Sequence, residues 1–471
     1  MDKAFQLSWK SIHREGDELT VEKDHVFHRN FHYNYPLIEK AEGIYLYDES
    51  GQQYMDASSG AVAVSVGHGN KEIIEAVAKQ AEKVAFVHTL RFETEIQHHL
   101  SRLIASIAPD TLDTVYFTSG GAEANESAFK LARQYHIGHG KQKKTKIMSH
   151  WNSYHGNTMW TLSAGGDNNR RSLYEAELHE GTVHVLPPYR RGRPSSEGMT
   201  PEEFGEACLK EIEETIIRED PETISAFIVE PITGSQIAAL VPPDNYLKGI
   251  RKLCQTYDIL MIADEVMTGF GRTGEMFAVD HWQVVPDIIT FAKGVSSAYL
   301  PLGGMIVSDG IVKVIKEEWD GKFAHGFTFS GHPLSLAAAK ANIEYILKHD
   351  LVKKAKRQGE YLNGQLRKLA ETWSFTGEVR GKGLLAGFEM VKDQMSNMAF
   401  ESEFQAAEKF NALSLKNGAV LYPGQGQVKG EKFDHILLGP PLTITTQEID
   451  KLITILEQNC SEFSELIKST V

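Results

Sequence analysis

Cysteine is scarce in this chain: only Cys208, Cys254 and Cys460 occur in 471 residues. Far apart and odd in number, they exclude a disulfide framework and a C-x-x-C zinc knuckle, so the chain reads as reduced and intracellular. Positive charge is short as well, with 49 Lys and Arg against 63 Asp and Glu and a net charge of -14. This balance argues against nucleic acid as a partner and gives no electrostatic reason to sit on an anionic membrane. No apolar run reaches membrane-spanning length. The opening MDKAFQLSWKSIHREGDEL mixes both charge signs with few apolar residues, unlike a signal peptide. A cytoplasmic protein acting on small molecules is expected. Repeats and low-complexity tracts are missing too, and the length calls for a large domain plus a smaller one.

What is present is a series of short apolar runs, each followed by turn residues: TVYFTSGG, KIMSHWNSYHG, HVLPP, ISAFIVEP, ILMIADEV, DIITFAKG and GGMIVSDG. Alternating with helical stretches, they predict an α/β fold whose mostly parallel sheet is covered on both faces and carries ligand groups at its strand ends. Residues 61–335 are expected to form this large domain. Residues 1–60 and 336–471 are expected to form a smaller α+β domain, with strands in VRGKGLLAGFEM and HILLGPP. Around Glu49, Ser50 and Gly51 the pattern reads as a structural hairpin. Ile96, Leu100, Leu103, Ile104 and Ile107 recur at helical spacing until Pro109, as core positions. PPYRRGRPSSEGMTPEE reads as a loop insertion with three solvated or interface arginines.

Two strand ends carry the chemistry. ILMIA terminates in Asp264, and DIITFA in Lys293 followed by Gly294. Alone, each is ordinary: acidic residues at strand ends often cap turns, and a lysine after a strand is usually structural. Together they suggest pyridoxal phosphate chemistry, in which a carboxylate keeps a pyridinium nitrogen protonated while a lysine binds the aldehyde and shuttles a proton. A phosphate site is also available, since Ser119, Gly120, Gly121 and Ala122 follow the run VYF and open a helix with unpaired N–H groups. Tyr154, at the same sheet edge, is placed to lie on a flat ring. GFGRTG at Gly269–Gly274 matches G-x-G-x-x-G, but its glycines come several residues after the strand and no long helix follows, so a nicotinamide site is the weaker reading. His150 with His155 and His325 with His332 lack the spacing of metal ligands on one helical turn.

With these residues in hand the sequence resembles class III aminotransferases of pyridoxal phosphate fold type I, nearly end to end, through LYDESGQQYMDASSG, SGGAEANE, YHGNT, VEP, ADEVMTGFGRTG, FAKG, HGFTFSGHP and GPPL. The resemblance implies roles for matching positions. Lys293 would be the Schiff-base lysine and Asp264 the partner of the pyridine nitrogen. Val266 and Tyr154 would sandwich the ring, and Gly120, Gly121 and Ala122 would hold the phosphate. Thr328 would reach the phosphate of a neighbouring subunit, which implies a homodimer. Met267, Ser235 and Leu437 replace the glutamine, glutamate and arginine of the ornithine and 4-aminobutyrate branches, so the resemblance turns towards the omega-amine:pyruvate branch. That branch has an arginine ahead of its last strand, where this chain offers only Lys429 and Lys432, and its pocket tryptophan corresponds to Val62, next to Ala61. Lys432 and Arg91 are the candidates for a keto-acid anchor. The expected reaction is a ping-pong transfer of an amino group from an amine to a keto acid, with pyruvate favoured. Other reactions on the same cofactor remain open at this point, namely aminomutase, racemase, decarboxylase or phospholyase, as does a nicotinamide dehydrogenase.

Overall fold

The computed structural model describes residues 25–470 apart from 192 and 429. The opening stretch read for targeting signals, residues 1–24 of the expected small domain, and Lys429 lie outside the described residues. Three sheets organise the rest. β1 (Ile38–Glu42), β2 (Tyr45–Asp48) and β3 (Gln53–Asp56) run antiparallel, with the expected hairpin joining β2 to β3.

The central sheet comprises β4 (Leu112–Thr118), β5 (Lys146–His150), β6 (Thr182–Val185), β7 (Ile224–Val229), β8 (Leu260–Asp264), β9 (Ile288–Phe291) and β10 (Gly303–Ser308), in spatial order β4-β10-β9-β8-β7-β5-β6. All seven correspond to the apolar runs of the sequence. Only β10 runs against its neighbours. Six strands therefore end on one edge, where Asp264 and Lys293 sit. Every residue of β7, β8 and β9 is buried, as a sheet with both faces covered requires.

The third sheet, β11 (Thr376–Lys382), β12 (Leu385–Asp393), β15 (Tyr422–Val428) and β16 (Glu431–Leu438), is antiparallel, with β13 (Met398–Ala399) beside β12. Between β13 and β15, β14 (Ala419–Val420) pairs in parallel with β3. The amino- and carboxyl-terminal segments thus share a sheet. Four helices bear on the site or its surroundings: α1 (Gly121–Gly138), α2 (Asn168–Arg171), α3 (Pro201–Arg218) and α4 (Ala406–Lys416).

The arginine-rich insertion was expected to hold solvated or interface arginines; Arg190 is exposed, but the other two are buried inside the protein. Arg191 and Arg193 are 8% and 7% exposed. Arg191 pairs with Glu389 at 2.8 Å, and Arg193 grips both oxygens of Glu211 at 2.8 and 2.7 Å. The physical reason lies far away in sequence: Glu389 sits buried on β12, and a second buried guanidinium, Arg380, and the Tyr189 hydroxyl converge on the same carboxylate. TPEE at the end of the insertion starts α3, with a reciprocal cap between Thr200 and Glu203. Replacing Glu389 by leucine strands two buried guanidinium groups. The unfolding free energy measured by urea titration should fall by about 3–5 kcal/mol; an unchanged midpoint would show that the network carries no stability.

Candidate functional site

β8 ends with a carboxylate in the protein interior, Asp264, 3% exposed. Burying an unpaired carboxylate costs several kcal/mol, so donors must surround it. His155 Nδ1 lies 2.7 Å from Oδ2, Asn125 Nδ2 donates to the same oxygen at 2.9 Å, and the Val266 N–H donates to Oδ1 at 3.1 Å. Asn125, on α1, also donates to the His155 carbonyl at 2.8 Å. One amide therefore locks the carboxylate and its histidine together.

Lys293 comes two residues after β9, at a left-handed φ of 45°. The next residue, Gly294, has its carbonyl held by Ser65 Oγ at 3.2 Å and Asn342 Nδ2 at 2.9 Å. Burial lowers the Lys293 ammonium from 10.5 to about 8; Asp264 and Glu230 oppose the shift, and Arg272 adds to it. Glu230 directly follows β7. Burial, and then the nearby Asp264 charge, push its carboxyl well above the usual range. The N–H groups of Tyr154 and Gly234 and the Lys293 charge act the other way. Glu230 Oε2 is buried and has no partner among the described residues.

At the end of β4, Gly120 caps α1 with extended backbone and no side-chain cap. The first intrahelical bond runs from the Ala124 N–H to the Gly120 carbonyl at 3.0 Å, so the N–H groups of Gly121 and Ala122 precede the ladder and face outward. The slot beside them is tight. A Cβ on Gly121 would lie 3.0 Å from Val266 Cγ1, and one on Gly156, at φ 137°, would lie 2.7 Å from Ala122 Cβ. Tyr154 is half-buried on the same edge, and the Arg170 guanidinium lies 4.8 Å from its ring centroid. Burial raises the Tyr154 hydroxyl above its ordinary range, against the pull of Arg170.

The arrangement suits a flat, phosphorylated pyridine. It offers an anion cradle at a glycine-capped helix, a fixed carboxylate for a ring nitrogen, and a low-pKa amine beside an orphaned buried oxygen. Asp264, Lys293, Val266, Tyr154, Gly120, Gly121 and Ala122 all stand along this edge. Elsewhere, Thr328 and Arg91 are exposed, the latter flanked by exposed Leu90 and Phe92. Ala61 is exposed and Val62 buried at φ 58°, packed where a Cβ on Gly439 would come within 2.8 Å. Lys432 lines a cavity of about 700 Å³ together with Ser235, Gln425 and Arg170. Leu437 is buried in β16. GFGRTG forms no nucleotide turn: its Arg272 is 2% exposed and donates to the Leu384 and Pro440 carbonyls.

Two residues at this edge, Glu230 and Asn125, are not among those expected from the sequence. Glu230 directly follows the buried strand β7, and VEP could have revealed it. His155 adjoins Tyr154 at the same sheet edge, but the sequence does not show that its ring meets Asp264. Asn125 follows Gly121 by one helical turn, a spacing that says nothing about its partner.

Comparison with known proteins agrees with this geometry. The profile of the family Aminotransferase class-III matches residues 27–460. A putrescine–pyruvate aminotransferase of Pseudomonas aeruginosa is 36% identical over 424 residues, 89% of each chain. A diaminobutyrate–2-oxoglutarate transaminase of Halomonas elongata is 33% identical, covering 92% of this chain and 91% of its own. The crystal structure of a thermostable (S)-enantioselective omega-transaminase from Thermomicrobium roseum superposes with a TM-score of 0.85 at 37% identity, over 98% of this chain and 99% of that one.

An amine lowered to about 8 is mostly protonated below that pH and free to attack an aldehyde above it. Covalent capture of pyridoxal phosphate by the apoprotein, fixed with borohydride and counted at Lys293, should rise with pH with a midpoint near 8. A midpoint at the ordinary lysine value would contradict the burial argument.

Proposed function

Because the chain belongs to the class III aminotransferases, and is a pyridoxal phosphate-dependent transaminase of fold type I, we propose that it passes an amino group from an amine or omega-amino acid to pyruvate through the Asp264–Lys293 site. The observation that carries the assignment is the pair itself: a buried, triply bonded carboxylate and a lysine of lowered pKa on neighbouring strand ends.

In this reading Gly120, Gly121 and Ala122 hold the phosphate, and Val266 and Tyr154 flank the ring. When bound, pyridoxal phosphate supplies a protonated ring that draws electrons from the amine-bearing carbon. Asp264, held by His155, Asn125 and the Val266 N–H, would face the ring nitrogen and favour its protonation. Lys293 Nζ would take the proton from the substrate's amine-bearing carbon and give it up again, a role that favours an amine titrating near the working pH. Glu230, whose carboxyl is pushed well above its usual range by burial and then by the Asp264 charge, stands on the neighbouring strand end. Residues 61–335 are assigned to the cofactor-binding unit, and 1–60 with 336–471 to the smaller one, a division supported by the pairing of β14 with β3.

A homodimer with shared sites is proposed as well. Thr328 would act on the partner, and its position beside Phe329, 56% exposed, supports a covered surface there. Pyruvate is favoured over 2-oxoglutarate because Met267, Ser235 and Leu437 remove the polar and charged groups expected to bind a second carboxylate.

Purified protein should show a yellow absorption band bleached by borohydride. A panel of amines assayed against both keto acids should give kcat/KM for pyruvate at least about tenfold above 2-oxoglutarate. Lys293→Ala should lower turnover by about 10²–10⁴-fold or more. Lys293→Ala with transamination intact would defeat the assignment, and equal use of both keto acids would defeat the acceptor.

A further inference from the structure

The segment that carries Thr328 is fastened to α1, the helix that opens the proposed phosphate cradle. Ser127, Lys130 and Gln134 follow one another at intervals of three and four residues along α1 and so share one face. Gln134 Nε2 donates to the Lys322 carbonyl at 2.7 Å, and its Oε1 accepts the Ala324 N–H at 3.0 Å, which fixes the chain leading into His325. The His325 ring meets the same face, with Nε2 2.9 Å from Ser127 Oγ and Nδ1 3.4 Å from Lys130 Nζ. We propose that His325 is a positioning residue that holds Thr328 towards the phosphate bound by a partner subunit, an inference that rests on the shared-site homodimer proposed above.

The neighbours of this ring settle where its proton sits. An ammonium can only donate, so Nδ1 accepts from Lys130 and Nε2 carries the hydrogen. Burial, and then the Lys130 charge, lower the ring to about 4, so it is neutral at working pH. Nε2–H therefore donates to Ser127 Oγ, whose own hydrogen goes to the Glu123 carbonyl at 2.7 Å. Glu123 Oε2 in turn accepts the Ser119 N–H at 2.8 Å, in the turn that leads into Gly120, Gly121 and Ala122. One chain of bonds thus joins the Thr328 segment to the start of α1.

Beyond Thr328 the loop is closed as well. Ser330 Oγ accepts the Phe327 N–H at 3.3 Å and lies 3.4 Å from the Tyr116 hydroxyl on β4. The His325 ring packs edge-on against Phe323 and Phe327, with centroids 5.3 and 4.7 Å away. Residues on both sides of Thr328 are therefore held, while Thr328 itself is exposed and its hydroxyl has no partner among the described residues. A hydroxyl held in place without an acceptor in its own chain is available to a group outside it.

The test titrates the full-length apoprotein with pyridoxal phosphate and, in parallel, with pyridoxal, which lacks the phosphate. Loading is read as cofactor fixed to Lys293 by borohydride. His325→Phe keeps a ring in place and removes both nitrogens. It should raise Kd for pyridoxal phosphate by at least about tenfold, and that for pyridoxal by less than about threefold. Ser127→Ala should reproduce the loss, and His325→Gln, whose amide can still donate to Ser127, should fall between wild type and His325→Phe. Thr328→Val should weaken loading to a similar degree, and adding His325→Phe to it should cost no more than a further factor of about two. In hybrid dimers of differently tagged chains, with Lys293→Ala silencing one subunit, His325→Phe placed in the silenced subunit should weaken loading of the other. Loss confined to the subunit that carries the substitution, equal losses for the two ligands, full additivity with Thr328→Val, or unchanged loading would each overturn the assignment. If His325→Phe fails to fold, His325→Gln and Ser127→Ala decide. A wild-type chain that is monomeric in solution, or Thr328→Val that loads normally, would overturn the shared site itself.

Discussion

The burial of one negative charge, Asp264, sets the terms for the rest of the site. β8 carries it to the end of a strand with no exposed residue, where water cannot satisfy it. An unpaired carboxylate there would destabilise the fold by several kcal/mol or neutralise itself. The Val266 N–H supplies a local donor, but the other two come from α1 and from the turn after β5. Tying Asn125 to both Asp264 and the His155 carbonyl brings the glycine-capped start of α1 into register with the end of β8. The spacing between the unpaired N–H groups of α1 and the Asp264 carboxylate is thus a by-product of satisfying Asp264.

The same charge separates the two ionisable groups nearest to it. Asp264 raises Glu230 further above its ordinary range while holding the Lys293 ammonium against a larger fall from burial. A carboxyl pushed well above its usual range and an amine drawn down to about 8 then stand on the strand ends that flank Asp264, an arrangement typical of acid–base sites.

The sequence revealed what depends on strand ends and little of what depends on contacts between distant segments. Seven apolar runs became seven strands because a sheet covered on both faces needs unbroken apolar stretches, a signal local to each run. Asp264 and Lys293 were legible for the same reason. Arg191 and Arg193 were misread because a run of arginines looks solvated until Glu389 and Glu211 are placed against it, roughly 200 and 20 residues away in the chain. Helical or strand periodicity reports which face is buried, and not what a charged side chain will meet.

Lys293 pays a conformational cost for its position. A non-glycine residue at φ 45° is strained by about 1–2 kcal/mol, and Ser59, Val62, Ser297 and Ala298, in the two segments packed around it, share the left-handed region. Such strain persists only where surrounding bonds over-determine the backbone. They do so here: Ser65 Oγ and Asn342 Nδ2 hold the Gly294 carbonyl, Asn342 also holds that of Val295 at 2.8 Å, and Ser297 Oγ accepts the Val66 N–H at 2.9 Å. The loop after β3 and the turn after β9 are therefore stitched to each other and to the helix Pro333–Lys348. Val62 could not relax without drawing on the bonds that aim Lys293. The loop after β3 and the turn that carries Lys293 are consequently tied together, so substitutions at Ala61 or Val62 are expected to act on the lysine as well.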